Sequence, residues 1–190
     1  MPTYKVMSSD SHIVEPAELW TSRADAKFRE RVPHIVRDQD GYDWWYTDTE
    51  RSVGLQPGSQ AGVRFDDPGK LEARDVLENV RPGAYDPAEH VKDMDFDGVD
   101  VGIIYPTVGL HMYKIDDSEL LTHILSTYND WIAEFCKPFP NRIKGLGMIN
   151  TDDISIDALL TDSGLFETTG IRDIFQSLTK NVLHRDDITL

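Results

Sequence analysis

The stretch VDVGIIYPTVG, Val99 to Gly109, is nearly all apolar after Asp100 and is broken only at Pro106. It shows none of the polar–apolar alternation of a half-exposed strand. Such a run suits a strand covered on both faces, as in a parallel sheet. A parallel sheet needs helical crossovers, and the flanking sequence provides them. Upstream, Asp86-Pro87-Ala88-Glu89 sets an N-cap acid before a proline at the first helical position, with Glu three residues on. That helix runs through Val91 and Met94 to Gly98, a C-terminal glycine. Downstream, Leu121, Leu125, Tyr128, Ile132 and Phe135 recur at helical spacing from about Ser118, and Ile124 and Trp131 widen the apolar face. The second helix ends before Pro138. RIKGLGMIN then reads as another short buried strand, Ile143 to Ile149.

Toward the N-terminus, Tyr4 to Ser9 reads as the first strand. Pro16 suits the opening turn of a helix that carries Leu19, Trp20 and Phe28 and stops before Pro33. HIVRDQDGYDWWYT, residues 34–47, is a hairpin turning at Asp40-Gly41. GLQPGSQAGVRFDDPG, residues 54–69, is a long loop that admits two readings, a functional lid or a plain surface excursion. After Asp153 the rhythm is lost. Leu159-Leu160 suggest a short helix, and Ile171, Ile174, Phe175 and Leu178 another. No repeat or low-complexity tract is present. Strands alternating with helices predict α/β architecture around a parallel sheet, in a chain of 190 residues, long enough for one domain with a core.

Lys and Arg number 19 against 34 Asp and Glu, a net charge of −15. That balance argues against nucleic acid, whose phosphates are bound by clustered Lys and Arg, and against an anionic membrane surface. No apolar run approaches the ~18–20 residues of a membrane span, and no leader pattern opens the chain, so a cytoplasmic location is the expectation. Cys136 is the single cysteine, so no intrachain disulfide forms. Its place in an amphipathic helix predicts a buried, inert thiol. No G-x-S-x-G elbow, P-loop or Rossmann glycine pattern is found.

SSDSHIVEP, residues 8–16, carries the chemistry. Residues one apart in a strand point to the same side, so Asp10 and His12 face a common point if the first strand persists that far. A carboxylate and an imidazole together suit Zn²⁺ or another divalent ion, each giving a lone pair at about 2.0–2.2 Å. The alternative is a polar turn with no ligand at all. Of the other histidines, His34 at the hairpin entrance, His90 on a helix face and His123 in the amphipathic helix read as surface or satisfied groups. His111 follows the second parallel strand.

Three blocks resemble one family in order and spacing: SSDSHIVEPAELW, YDPAEHVKDMDFDGVDVGIIYPTVGL and YNDWIAEFCKPFPNRIKGLGMIN. They are similar to the amidohydrolase-2 family, TIM-barrel metal-dependent hydrolases related to aminocarboxymuconate-semialdehyde decarboxylase. The resemblance runs from Tyr4 to Asn150, with residues 34–85 as an insertion after the first strand. It implies residues 1–153 as the N-terminal part of the barrel and 154–190 as a divergent tail. By the same resemblance Asp10 and His12 are the first-strand ligands of a divalent metal, most simply Zn²⁺. The commoner family pattern is His-x-His, and Asp in the first slot is an acidic variant. Tyr105, Thr107 and Asn150 fall near the ends of the second and third strands, and His111 beyond the second, as weaker catalytic candidates at the barrel mouth.

A full barrel takes roughly 250 residues. The family adds a His near the fifth strand, another on the sixth and an Asp on the eighth. This chain shows about three β/α units, a partial TIM (β/α)8 barrel. The tail lacks a strand to present His184, Asp186 and Asp187 in place of the missing ligands. Three functional expectations follow: a metal-dependent hydrolase or decarboxylase acting on a small carboxylated ring compound or its ring-opened product, an inactive truncated product of such an enzyme, or a non-enzymatic interaction subunit. An incomplete barrel exposes sheet edges, which invites self-association into a homo-oligomer.

Overall fold

The computed structural model describes residues 6–55 and 74–153. The chain divides into two compact units, residues 1–149 and 150–190. In the second unit the described residues are 150–153, which contain one 3-10 turn, Thr151–Asp153. Several expectations fall outside the described residues: Tyr4 and Lys5, nearly all of the 54–69 loop, the helices suggested around Leu159 and Ile171–Leu178, and His184, Asp186 and Asp187.

In the first unit a parallel sheet of three strands runs in the order β1 (Met7–His12), β5 (Val101–Tyr105), β6 (Ile143–Gly145). Between β1 and β5 come α1 (Leu19–Arg23), an antiparallel sheet β2 (His34–Arg37), β3 (Asp43–Thr47), β4 (Glu50–Gly54), and α2 (Pro87–Asp97). Between β5 and β6 come a 3-10 turn, Gly109–Lys114, and α3 (Ser118–Cys136). The α/β class with a parallel sheet is therefore observed.

The helix ends follow from local chemistry. Asp86 accepts from the N–H groups of Ala88 and Glu89, and Gly98 closes α2 at φ +70°, where a side chain would be strained. Asp117 caps α3 through the Leu120 N–H. One face of α3 buries Leu120, Leu121, Ile124, Leu125, Tyr128, Trp131, Ile132 and Phe135. At roughly 1.5–3 kcal/mol for each large apolar side chain, that face outweighs the helix's own propensity. Trp20 of α1 donates its Nε1–H to the Ile124 carbonyl at 3.0 Å and meets Trp45 of β3 edge-on, so the inserted sheet shares this core.

Four expectations are corrected. β1 does not end at Ser9 but continues through His12, because Ser11 and His12 pair with Ile104 and Tyr105. The helix expected from Pro16 to Pro33 is the five-residue α1. The Thr21 and Ser22 hydroxyls bond back to the carbonyls of Glu18 and Leu19, Ala24 turns to extended backbone, and a series of turns follows. The hairpin gains a third strand, β4, across a turn whose central residues Asp48 and Thr49 both have positive φ. Arg31 holds that turn: its guanidinium donates to both Asp48 carboxylate oxygens and to Asp117, and its carbonyl accepts from Asp48 N–H. β6 stops at Gly145 instead of Ile149, because Asn129 of α3 takes both backbone groups of Met148. The close approach of α3 depends on Gly145, where a Cβ would run into Ile132 Cγ1 and lie 3.1 Å from Cys136 Sγ.

Cys136 is half-buried, and burial pushes its thiol pKa up. His34 and His90 each place Nδ1 on a backbone carbonyl, Val32 at 2.9 Å and Gly83 at 2.7 Å, and His123 Nε2 accepts from Asp25 N–H. All three are satisfied polar groups. Among the described residues no helix is long and apolar enough to cross a membrane.

Candidate functional site

The register between β1 and β5 slips by one residue between Ser8 and Ser11, so three steps on β1 match two on β5. The bulge turns Ser8 and Ser11 to one side, where Ser11 Oγ donates to Ser8 Oγ at 2.7 Å. Asp10 lies within the slipped segment and His12 just after it. His12 Nε2 lies 3.4 Å from Asp10 Oδ1. Both side chains are open to solvent, Asp10 at 81% and His12 at 44% relative exposure, so an ion or a small molecule reaches them directly.

β5 and the loop after it hold the imidazole from two directions. Tyr105, the register partner of His12, stacks on its ring with centroids 5.8 Å apart and planes 29° from parallel. Thr107 Oγ1 lies 3.3 Å from His12 Nδ1. In the tautomer where this hydroxyl accepts an Nδ1–H, the Nε2 lone pair faces Asp10, the arrangement a metal-bound imidazole needs.

The fit to a divalent ion can be judged on these distances. Two ligands on one tetrahedral ion, each at about 2.0–2.2 Å, stand about 3.3–3.6 Å apart. The 3.4 Å between Nε2 and Oδ1 matches. One oxygen and one nitrogen donor also suit a borderline ion such as Zn²⁺. The pair alone does not make a metal site, and no group of three or more His, Cys, Asp or Glu able to hold a metal occurs among the described residues.

The remaining candidates separate. His111 lies on the 3-10 turn after β5 and lines a cleft of about 430 Å³ with Arg51, Lys114, Asp48 and Asp116. Burial, with Lys114 adding to it, lowers its pKa and keeps it neutral at neutral pH. Asn150 is the first residue of the second unit, and its Oδ1 accepts from Asp152 N–H at 3.1 Å.

Sequence reasoning missed Glu15. It is fully buried, and its carboxylate takes the N–H groups of Thr107, Val108 and Gly109 at 3.2, 3.0 and 3.0 Å. The available signal was a lone acid between Ile13-Val14 and Pro16, in a segment otherwise apolar. Burial raises its pKa, and the three amide donors work against that rise.

With this geometry in view, comparison with known proteins places the fold. No family model and no curated protein matches the chain. Among solved structures, a match is the crystal structure of an amidohydrolase from Mycobacterium avium subsp. paratuberculosis K-10, with a TM-score of 0.59. The fold is similar to that of an amidohydrolase. Sequence identity is 18%, over 80% of this chain and 44% of that one. The likeness is therefore one of fold, and this chain spans less than half the length of the protein it resembles.

Proposed function

We propose that this chain forms the first β/α units of an amidohydrolase-type barrel and carries part of a divalent-metal site, Asp10 and His12. The observation that supports this is the Nε2–Oδ1 separation of 3.4 Å at the carboxyl end of β1, with Nδ1 occupied by Thr107. Carboxyl ends of strands are where barrel enzymes assemble their sites. A bound ion would polarise a carbonyl or carboxylate oxygen or lower the pKa of a bound water. Asp10 Oδ1 and His12 Nε2 would be its ligands, Thr107 Oγ1 would hold the proton on Nδ1, and Tyr105 would fix the plane of the ring. The substrate class is a small carboxylated compound, and the reaction is hydrolysis or decarboxylation. The further ligands would come from outside the described residues. With only two ligands at hand, zinc binding by these residues is weak and under-occupied.

Zinc titration against a chromophoric chelator tests the reading. Weak binding by the 190-residue chain, lost in D10N and in H12N, is the expected result. Equal binding by wild type and both variants would defeat the assignment, and tight stoichiometric zinc would defeat the two-ligand account.

A second reading follows from the 44% coverage. The isolated chain then binds the ion without turning over substrate, and supplying the rest of the barrel in trans restores turnover.

A further inference from the structure

We propose that Glu15 is a positioning residue for His12, acting through the backbone of the loop that follows β5. The proposal rests on the metal reading for its consequence, the grip on the ion, but not for its geometry. Three consecutive amides, Thr107 to Gly109, converge on one carboxylate: Oε1 accepts from Thr107 and Gly109, Oε2 from Val108. A carboxylate has four acceptor sites, which an isosteric amide cannot supply. Bonds of this charge-assisted kind are the stronger ones, and in a buried site they fix the backbone that donates them.

That backbone has little other freedom. Val108 is buried, and a Cβ at Gly109 would lie 2.7 Å from Met148 Sδ and 3.4 Å from Glu15 Oε1. Thr107 is the first residue of the clamped triplet. Its amide binds Glu15 and its hydroxyl meets His12 Nδ1. The chain of contacts thus runs from Glu15 through the Thr107 backbone to the Thr107 side chain and the imidazole. Glu15 and His12 are three residues apart, yet they communicate through a loop more than ninety residues later. A buried carboxylate is costly unless its partners are fixed. Here every partner named belongs to the segment that orients His12.

The test uses the full 190-residue chain with zinc as the probe. E15Q keeps the shape of the side chain but sets an NH₂ against an amide N–H. T107V removes the hydroxyl, and T107S keeps it. The first readout is the set of nuclear Overhauser contacts between the His12 ring and residue 107 in zinc-free protein. The second is the zinc Kd. Loss of those contacts in folded E15Q, a Kd raised about 10- to 100-fold in E15Q and T107V, and near-wild-type binding by T107S are expected. Folded E15Q with the contacts intact and zinc bound as in wild type would overturn the proposal. If E15Q does not fold, E15D, which retracts the charge by one methylene, takes its place with the same two outcomes. A wild-type chain that binds no zinc but shows Glu15-dependent contacts would sink the metal reading and leave the positioning role standing.

Discussion

His12 and Tyr105 face each other across the β1–β5 register, their rings 5.8 Å apart and 29° from parallel. The stack fixes the ring plane while Thr107 fixes its rotation. Aromatic pairs are worth about 0.5–1.5 kcal/mol beyond the area they bury, so Y105L should weaken zinc binding about 2- to 10-fold. Y105F, which keeps the ring, should bind as wild type does. Chelator competition on the three proteins checks this, and equal affinity in Y105L would remove Tyr105 from the site.

Tyr128 gives a stability test of opposite sign. Its side chain is fully buried on α3, its hydroxyl has no hydrogen-bond partner among the described residues, and burial with the nearby Glu15 charge raises its pKa. An unsatisfied buried polar group costs roughly 1–3 kcal/mol. Y128F removes the group and keeps the ring, so urea unfolding should show equal or greater stability. A clear loss would mean that the hydroxyl has a partner.

Asn129, the next residue, is the reverse case. Its amide closes two bonds on Met148, both at 2.7 Å. N129A leaves both backbone groups without that partner and should cost about 1–3 kcal/mol by urea denaturation. Hydrogen exchange at the Met148 amide should rise with it, since the loss is local. An unchanged exchange rate there would contradict the account of why β6 ends at Gly145.

These sites also show what a sequence can and cannot reveal. β5 was legible because Val101 to Tyr105 is buried by chemistry alone, and α2 because Asp86 and Gly98 mark its ends within twelve residues. Asp10 and His12 were legible as a pair because strand periodicity is local. Glu15 was not, because its reason for being buried is three amides 92 to 94 residues away. β4 was hidden for a related cause. Its turn uses Asp48 and Thr49 at positive φ where the usual signal is Asn-Gly, and Arg31, from before the sheet, holds it in place. The extension of β1 to His12 depended on a partner strand that begins only at Val101.

Acid should unfold the protein through two arginine-centred clusters. Arg37 donates to both oxygens of buried Asp43 and to Glu78, and Asp43 also takes the Leu77 N–H. Arg37 holds the Asp43 carboxyl below the usual carboxylate range, and Arg31 does the same for Asp48. Asp117 is lowered first by the Leu120 N–H it caps and then by Arg31. In each case the folded state releases its proton more readily than the unfolded chain, so the unfolded chain binds more protons as pH falls. The stabilisation is complete above the unfolded value of 3.8 and is lost as pH drops through the lower folded values. Glu15 runs the other way: its folded pKa is raised, so above 4.5 it erodes stability as pH climbs toward that raised value. The urea midpoint should therefore fall steeply below about pH 4. R37M should flatten that fall while lowering the midpoint at neutral pH, and E15Q should remove the opposing slope above 4.5. If wild type and R37M show the same acid slope, the Arg37 cluster is not what makes the fold acid-sensitive.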